Sequence, residues 1–253
     1  AKCEYAVFSS VAENKIAAIR GEYPELTGLV EWGGTTAEYA RSIDDVRAAG
    51  KARYLAGDNS YYDYEIDPEA LASIVFTSGT TGKGKGVMLS QKNICSDMEQ
   101  GIYNFLITPR TLCTLPPHHT FCSTVNLLGH YCQGCNIYIS SGLRYIMGEL
   151  KEFKPTHLIL VPLFVETFYK RIMATAEKQG KLGALKALIK ISNGLRKVGI
   201  DLRRTLFRSV LDNFGGDLEM IICGGAALNQ NIIDFFEGIG IVILNGYGIT
   251  ECA

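Results

Sequence analysis

The residues best equipped for chemistry gather between Ile74 and Leu89, in the run IVFTSGTTGKGKGVML. An apolar, β-rich stretch feeds a loop of glycines, hydroxyls and lysines, and a second apolar stretch follows. Gly79, Gly82, Gly84 and Gly86 permit backbone conformations that turn successive N–H groups toward one anion. Thr77, Ser78, Thr80 and Thr81 add hydroxyl donors, and Lys83 and Lys85 add positive charge, so the ligand that suits this loop is a polyphosphate. Gly79 to Lys85 also satisfies the spacing G-x-x-x-x-G-K of a triphosphatase P-loop. That motif continues with Ser or Thr for magnesium and then a helix. Here Gly86 follows and 87–89 reads as a strand, so the loop joins strand to strand and lacks the helix N-terminus that a P-loop turns toward phosphate.

Three more segments carry usable groups. Leu115-Pro116-Pro117-His118-His119 precedes an apolar stretch that runs to Leu128. Cys223-Gly224-Gly225-Ala226-Ala227-Leu228 follows an apolar run directly, and its two glycines let a flat ring approach the main chain. Asn245-Gly246-Tyr247-Gly248-Ile249-Thr250-Glu251 offers an aromatic ring for stacking, an amide, a hydroxyl for phosphate and a hard carboxylate oxygen for magnesium. His130, Cys132 and Cys135 form H-x-C-x-x-C, a spacing compatible with zinc or redox chemistry. No fourth ligand stands at a finger-like distance, which weighs against a zinc site there. His157 reads as a strand-edge residue with no assigned role.

Positioning these groups requires a sheet. Short apolar runs bounded by Gly, Pro and Asp alternate with stretches of helical period, the signature of a mainly parallel sheet with helices packed on it. Strands are expected at 5–8, 29–31, 73–76, 87–89, 111–114, 137–139, 158–161, 220–223 and 241–244. The segment 58–67 (DNSYYDYEID) has no clean period and reads as a surface connection. Asp67-Pro68 is expected to open a short helix, with Asp as N-cap and Pro at the first helical position.

The 253 residues, 47% hydrophobic and 20% charged with a net charge of -1, exclude disorder and a collagen-like chain. No apolar run approaches the roughly 18 residues of a membrane span, and the absence of a basic excess argues against a nucleic-acid partner. Eight scattered cysteines lack the spacing of a disulfide framework and fit a reducing, cytoplasmic setting. Charge is nonetheless segregated. Residues 1–70 hold 13 acids against 7 bases, while residues 170–208 hold 11 bases against 2 acids. In the basic stretch Leu182, Leu185, Leu188, Ile189, Leu195, Val198, Leu202, Leu206 and Val210 recur at helical spacing. Helices over 178–208 are therefore expected to bury a leucine stripe and present a cationic face, to water, to an anionic membrane at its inner face or to an anionic substrate tail.

Together, in this order, the four segments resemble the signatures of the adenylate-forming superfamily of acyl-CoA synthetases, adenylation domains and luciferases. Gly84 replaces the proline usual in that family's Gly-x-Pro-Lys-Gly, with Lys85 in the lysine position. The resemblance implies an α/β fold of mainly parallel sheets with helices on both faces, a partial N-terminal domain of the synthetase type. Within it, 1–72 would be an incomplete first subdomain with an acidic connection, and 73–253 would carry the phosphate loop, acyl pocket and adenine site. It also implies that Thr77, Ser78, Gly79, Thr80, Thr81, Gly82, Lys83 and Lys85 bind the ATP phosphates. Gly224, Gly225 and Ala226 would wall the adenine, and Asn245, Gly246, Tyr247, Gly248 and Thr250 would complete the nucleotide site. Glu251 would hold Mg2+, with Lys85, Thr250, Glu251 and His119 in the catalytic set. His119 would border the acyl and pantetheine passages, and Phe121, Val125 and Gly129 would line the acyl pocket. Val165 to Asn213 resembles the extended insertion of long-chain fatty acyl-CoA synthetases. The implied activity is ATP-dependent ligation of a small-molecule carboxylate, a long-chain fatty acid, to coenzyme A. A carrier-protein acceptor, another carboxylate, a P-loop-type triphosphatase and a non-catalytic scaffold stand as alternatives. Family members continue past Glu251 with a ribose-binding segment, a hinge and a C-terminal domain bearing a catalytic lysine, so the chain is expected to be a fragment that is inactive alone.

Overall fold

The computed structural model describes residues 3–33, 37–77, 84–104 and 109–253. It divides into two compact units, with the boundary in the chain between Ile66 and Asp67. In the first unit β1 (Tyr5–Ser9), α1 (Glu13–Ile19), β2 (Gly28–Trp32), β3 (Arg41–Ser42) and α2 (Ile43–Leu55) form a parallel sheet in the order β1-β2-β3 with its helices. Strand β3 has two residues, too short to show any period, and was not expected from the sequence. Ser42 caps α2 by accepting a hydrogen bond from the Asp44 N–H at 3.2 Å. Residues 58–66 run as exposed turns.

The second unit begins with a correction. Asp67-Pro68 opens a turn rather than a helix: the Asp67 side chain accepts from the Glu69 N–H and its carbonyl accepts from the Ala70 N–H. The chain must extend into a strand at Leu71, so the capping group closes one turn and no helix propagates. Strands β4 (Leu71–Thr77) and β5 (Lys85–Ser90) then pair antiparallel, Thr77 opposite Lys85, and α3 (Gln91–Asn104) follows.

Next comes a parallel sheet of five strands, β6 (Arg110–Cys113), β7 (Asn136–Ile139), β8 (His157–Leu160), β9 (Met220–Cys223) and β10 (Val242–Asn245), in the order β10-β9-β8-β6-β7. Between β6 and β7 lie a π-helix (Phe121–Leu128) and α4 (Gly129–Cys132), and α5 (Ile146–Phe153) joins β7 to β8. Helices α6 (Pro162–Lys178), α7 (Leu182–Arg196), α8 (Arg203–Leu206) and α9 (Arg208–Leu211) join β8 to β9, and α10 (Gln230–Ile239) joins β9 to β10. Helix ends follow local chemistry: Pro162 starts α6, Asn229 caps α10 by accepting from the Asn231 N–H, and Gly240 ends α10 at φ +98°.

Crossover handedness assigns the helices to faces. The connections through α5, α6–α9 and α10 all step across the sheet in one direction, whereas β6 to β7 steps the other way. Right-handed crossovers therefore put α5 to α10 on one face and the π-helix with α4 on the opposite face. Side chains agree with this, because alternate strand residues point to opposite sides. Leu112, Leu158, Leu160, Ile221 and Ile243 pack with the buried side chains of α5, α6 and α10. Cys113, Ile159 and Ile222 pack instead with Cys122, Phe121 and Val125. The leucine stripe of the basic helices is less buried than its period implies. Leu185 is buried, but Val198 is 73% exposed and Leu202 is 42% exposed, because α7 ends at Arg196 and the chain leaves helical geometry between it and α8.

Candidate active site

In open parallel sheets, ligands bind outside the carboxyl ends of the strands, where successive connections diverge. Here the connection leaving β6 goes to β7 and the one leaving β8 goes to β9 on the other side, so the divergence lies between β6 and β8. The segments picked out by residue chemistry emerge along that same edge. The segment 114–119 leaves β6, Gly224 to Ala226 leave β9, and Gly246 to Glu251 leave β10. Backbone hydrogen bonds lace these ends together, from the Gly224 N–H to Leu160 at 3.1 Å and from the Gly246 N–H to Cys223 at 2.7 Å.

The hairpin adds the remaining element. Strand β5, which begins at Lys85, packs against the turn Thr250–Cys252, so the strand carrying the candidate phosphate lysine lies beside the candidate magnesium ligand. Thr77 ends β4 and Lys85 begins β5, a cross-strand pair at the end of the hairpin where the loop joins the two strands. Ser78, Gly79, Thr80, Thr81, Gly82 and Lys83 lie outside the described residues. Gly84 and Gly86 do not adopt the left-handed conformation expected of anion-cradling glycines. Gly86 is a strand residue: a Cβ there would sit 2.9 Å from Ile74 Cγ2, so its small size serves hairpin packing. The loop does lead into strand β5, not into a helix, and α3 starts only at Gln91, which removes the helix N-terminus on which a triphosphatase P-loop depends.

His119 is exposed at the start of the π-helix, where its carbonyl accepts from the N–H groups of Cys122 and Ser123. The His118 and His119 rings stand 4.4 Å apart at 42°. Gly224 and Gly225 are required for different reasons. A Cβ on Gly224 would lie 2.9 Å from the Phe121 ring, so the flat ring resting on that backbone is the protein's own. Gly225 has φ +86°, a conformation other residues adopt only with strain. Phe121 thus ties the segment after β6 to the turn after β9 across the intervening β8. Tyr247 is 95% exposed, and Asn245, Gly248 and Glu251 are exposed near it in the chain. Glu251 and the Thr250 hydroxyl are the hard oxygen donors that Mg2+ takes together with substrate phosphates. Among the described residues no group of three or more His, Cys, Asp or Glu is assembled; one carboxylate beside phosphates fits Mg2+ better than a dedicated protein cage does.

Sequence reasoning missed buried polar pairs between the sheet and the elements that join β6 to β7. His130 and His157 are both fully buried, with near-parallel rings 4.6 Å apart. The Val125 carbonyl can only accept, so His130 Nδ1 donates to it at 2.9 Å, and His130 Nε2 then accepts from His157 Nε2. Both ring nitrogens of His130 are occupied, which leaves none for a metal shared with Cys132 and Cys135. His157 is the first residue of an interior strand, hydrogen-bonded between β6 and β9, and not a strand-edge residue. Burial holds the His130 ring below the usual histidine range, and burial, with repulsion from His130 whenever that ring is protonated, holds His157 down at about 3. Both are therefore neutral at physiological pH. At the carboxyl end of β6 the Cys113 and Cys122 sulfurs are 3.4 Å apart and buried, and the Cys122 sulfur lies 3.1 Å from the Leu115 carbonyl. A hydrogen bond from Cys122 lowers the Cys113 thiol, while that same bond and burial raise Cys122. No local signal marks either pair, since each joins segments that meet only after the sheet forms.

Comparison with known proteins gives the class. Residues 12–253 match the model of the AMP-binding enzyme family, and the chain belongs to that family. It is 30% identical over 276 residues to the probable acyl-activating enzyme 16, chloroplastic, of Arabidopsis thaliana, covering 90% of this chain and 37% of that protein. It is 29% identical over 213 residues to long-chain-fatty-acid–CoA ligase 5 of Rattus norvegicus, covering 79% of this chain and 31% of that one. The chain thus spans about a third of the length of these curated relatives. Among solved structures, an anthranilate CoA ligase in complex with anthranoyl-AMP superposes with a TM-score of 0.67 at 19% identity, covering 99% of this chain and 42% of that one. The fold is that of the N-terminal domain of adenylate-forming enzymes.

Proposed function

We propose that the protein containing this chain activates a carboxylate with ATP as an acyl-adenylate and transfers the acyl group to coenzyme A, with long-chain fatty acids as the substrate class. The observation that carries the reading is the convergence on one sheet edge of the segments after β6, β9 and β10, with strand β5 of the phosphate hairpin alongside the Thr250–Cys252 turn. The fatty-acid class is supported by the extended helical span α6–α9 and by the ligase names of the relatives.

In this reading the substrate carboxylate attacks the α-phosphorus of ATP and pyrophosphate leaves; the thiol of coenzyme A then takes the acyl group and AMP leaves. The first step brings two anions together, so the residues act mainly by positioning and charge neutralisation. Lys85 and the loop Thr77 to Lys83 hold the phosphates. Tyr247 stacks on the adenine, which lies beside Gly224, Gly225 and Ala226, and Asn245 supplies amide contacts. Thr250 donates to phosphate, and Glu251 holds Mg2+, which supplies positive charge to the phosphate oxygens when bound. His119 borders the passage between acyl group and thiol. The enzyme would act in the cytoplasm, its basic helices 178–208 able to meet an anionic membrane face.

The test is carboxylate-dependent exchange of labelled pyrophosphate into ATP by the full-length protein, across fatty and aromatic acids. Exchange with long-chain acids and thioester formation on coenzyme A are expected. ATP hydrolysis without exchange would favour a triphosphatase, transfer only to a carrier protein would change the acceptor, and silence in every assay would favour a scaffold. Glu251→Gln should lower exchange by roughly 100-fold or more while leaving nucleotide binding within a few-fold. Equal loss of both would remove the proposed role.

A further inference from the structure

On the sheet face opposite the π-helix, α5, α6, α7 and α9 line a solvent-open cavity of about 470 Å³. It is a separate place from the candidate active site. Helix α6 starts at the carboxyl end of β8 and, over 17 residues or about 25 Å, runs back toward the amino edge of the sheet. The cavity takes its wall from the later part of that helix, Phe168 to Gln179, and from residues shortly before β9 begins. It therefore differs from the candidate acyl passage in both face and edge.

The chemistry of its walls is specific. Phe168, Leu185, Phe207 and Phe214 are buried side chains at its floor. Lys151, Arg171 and Lys181 line it from α5, α6 and the turn before α7, and no carboxylate lines it. Among the described residues none of these three cations takes part in an ion pair, although Lys170, next to Arg171 in sequence, pairs with Glu166. All three are exposed at its rim, and an anionic group seated above the apolar floor would be attracted to each of them. The volume lies within the roughly 300–1,000 Å³ typical of small-molecule sites.

We propose that this cavity is a second, non-catalytic binding site for a single-chain acyl anion, the alkyl chain on the aromatic floor and the carboxylate among Lys151, Arg171 and Lys181. A neutral chain would gain nothing from the cations at the rim, and a compact hydrophilic anion would leave the floor wet. A free acyl anion satisfies both parts. The proposal does not depend on the proposed catalytic activity, because the walls alone define the ligand.

The experiment uses full-length protein and a palmitate analogue bearing a diazirine on its chain, with cross-links mapped by peptide mass spectrometry. Labelling is expected on peptides spanning 168–179, 184–188 or 206–214, with competition by palmitate at least tenfold better than by hexadecanol. Charge reversal by Lys151→Glu with Arg171→Glu should remove those cross-links and leave any on 121–129 unchanged. Ala184→Trp, which fills the cavity from an exposed wall position, should remove them without altering charge. Pyrophosphate exchange by both variants should match that of the parent, so failure of this site and failure of the catalytic reading are read separately. Labelling confined to 121–129, equal competition by hexadecanol, or labelling that appears only with phosphatidylglycerol vesicles would each overturn the proposal.

Discussion

The two faces of the five-stranded sheet are built from the same alternating strands and have opposite characters. One face, under α5 to α10, is a continuous apolar core in which Leu150, Phe214, Phe236 and Ile239 are almost wholly excluded from solvent. The other, under the π-helix and α4, mixes a small apolar cluster with buried Thr111, Thr124, Asn126, His130 and His157. Buried polar groups need partners and tolerate few arrangements. The first face therefore supplies most of the stability, and the second fixes where the segments after β6 and β9 stand. The π-helix belongs to this second face, in keeping with the frequent occurrence of that geometry at functional sites. What the contrast teaches is that the face packed by the π-helix, whose chain leads away from the candidate site, has lower apolar content and more directional bonding than the face that forms the core.

Four perturbations would break or sharpen this contrast. Phe236→Ala, on the apolar face, should have the largest effect, about 3–5 kcal/mol of unfolding free energy by denaturant titration, with pyrophosphate exchange per folded molecule unchanged. Loss of exchange at full folding would dissolve the division of labour. Gly224→Ala, on the polar face, must displace the Phe121 ring and should cost about 1–3 kcal/mol while lowering exchange per folded molecule; a variant with parental exchange would separate Phe121 from the site. Acid comes next. His157 is held down at about 3 in the folded chain from an unperturbed value of 6.5, so the unfolded chain binds more protons between those values. Stability is complete above about pH 6.5 and should fall by about 1.4 kcal/mol per pH unit below it. His157→Leu should flatten that slope, and a slope of undiminished steepness would assign it to other groups. Smallest is Val198→Glu, at an exposed position of the expected leucine stripe, which should change stability by no more than about 0.5 kcal/mol. A larger loss would mean the stripe is covered after all.

Much of the architecture was legible in the residues. The nine expected strands coincide with observed ones to within two residues at each end, because each is a short apolar run bounded by turn formers. The strand following the glycine loop was legible for the same reason, and so was the exclusion of a P-loop. Other features were not. Asp67-Pro68 carries a helix-start signal that the approaching strand overrides, and β3 is too short to have a period. His130 belongs to a local pattern with Cys132 and Cys135, yet its partner, His157, lies 27 residues away. Gly224 and Gly225 were recognised as a turn that admits a ring, but nothing local indicates that Phe121 provides one.

What the sequence alone determined was the set of chemical groups, their order and the elements that carry them, because periodicity, glycine content and turn chemistry act over a few residues. Tertiary structure decided which of those groups meet. Handedness of the crossovers chose the face for each helix and so separated an apolar core from a polar layer. The parallel register brought the ends of β6, β9 and β10 to one edge, and packing turned isolated histidines, cysteines and glycines into pairs. Those outcomes depend on contacts between segments far apart in the chain, whose free energy appears only when the whole sheet is assembled.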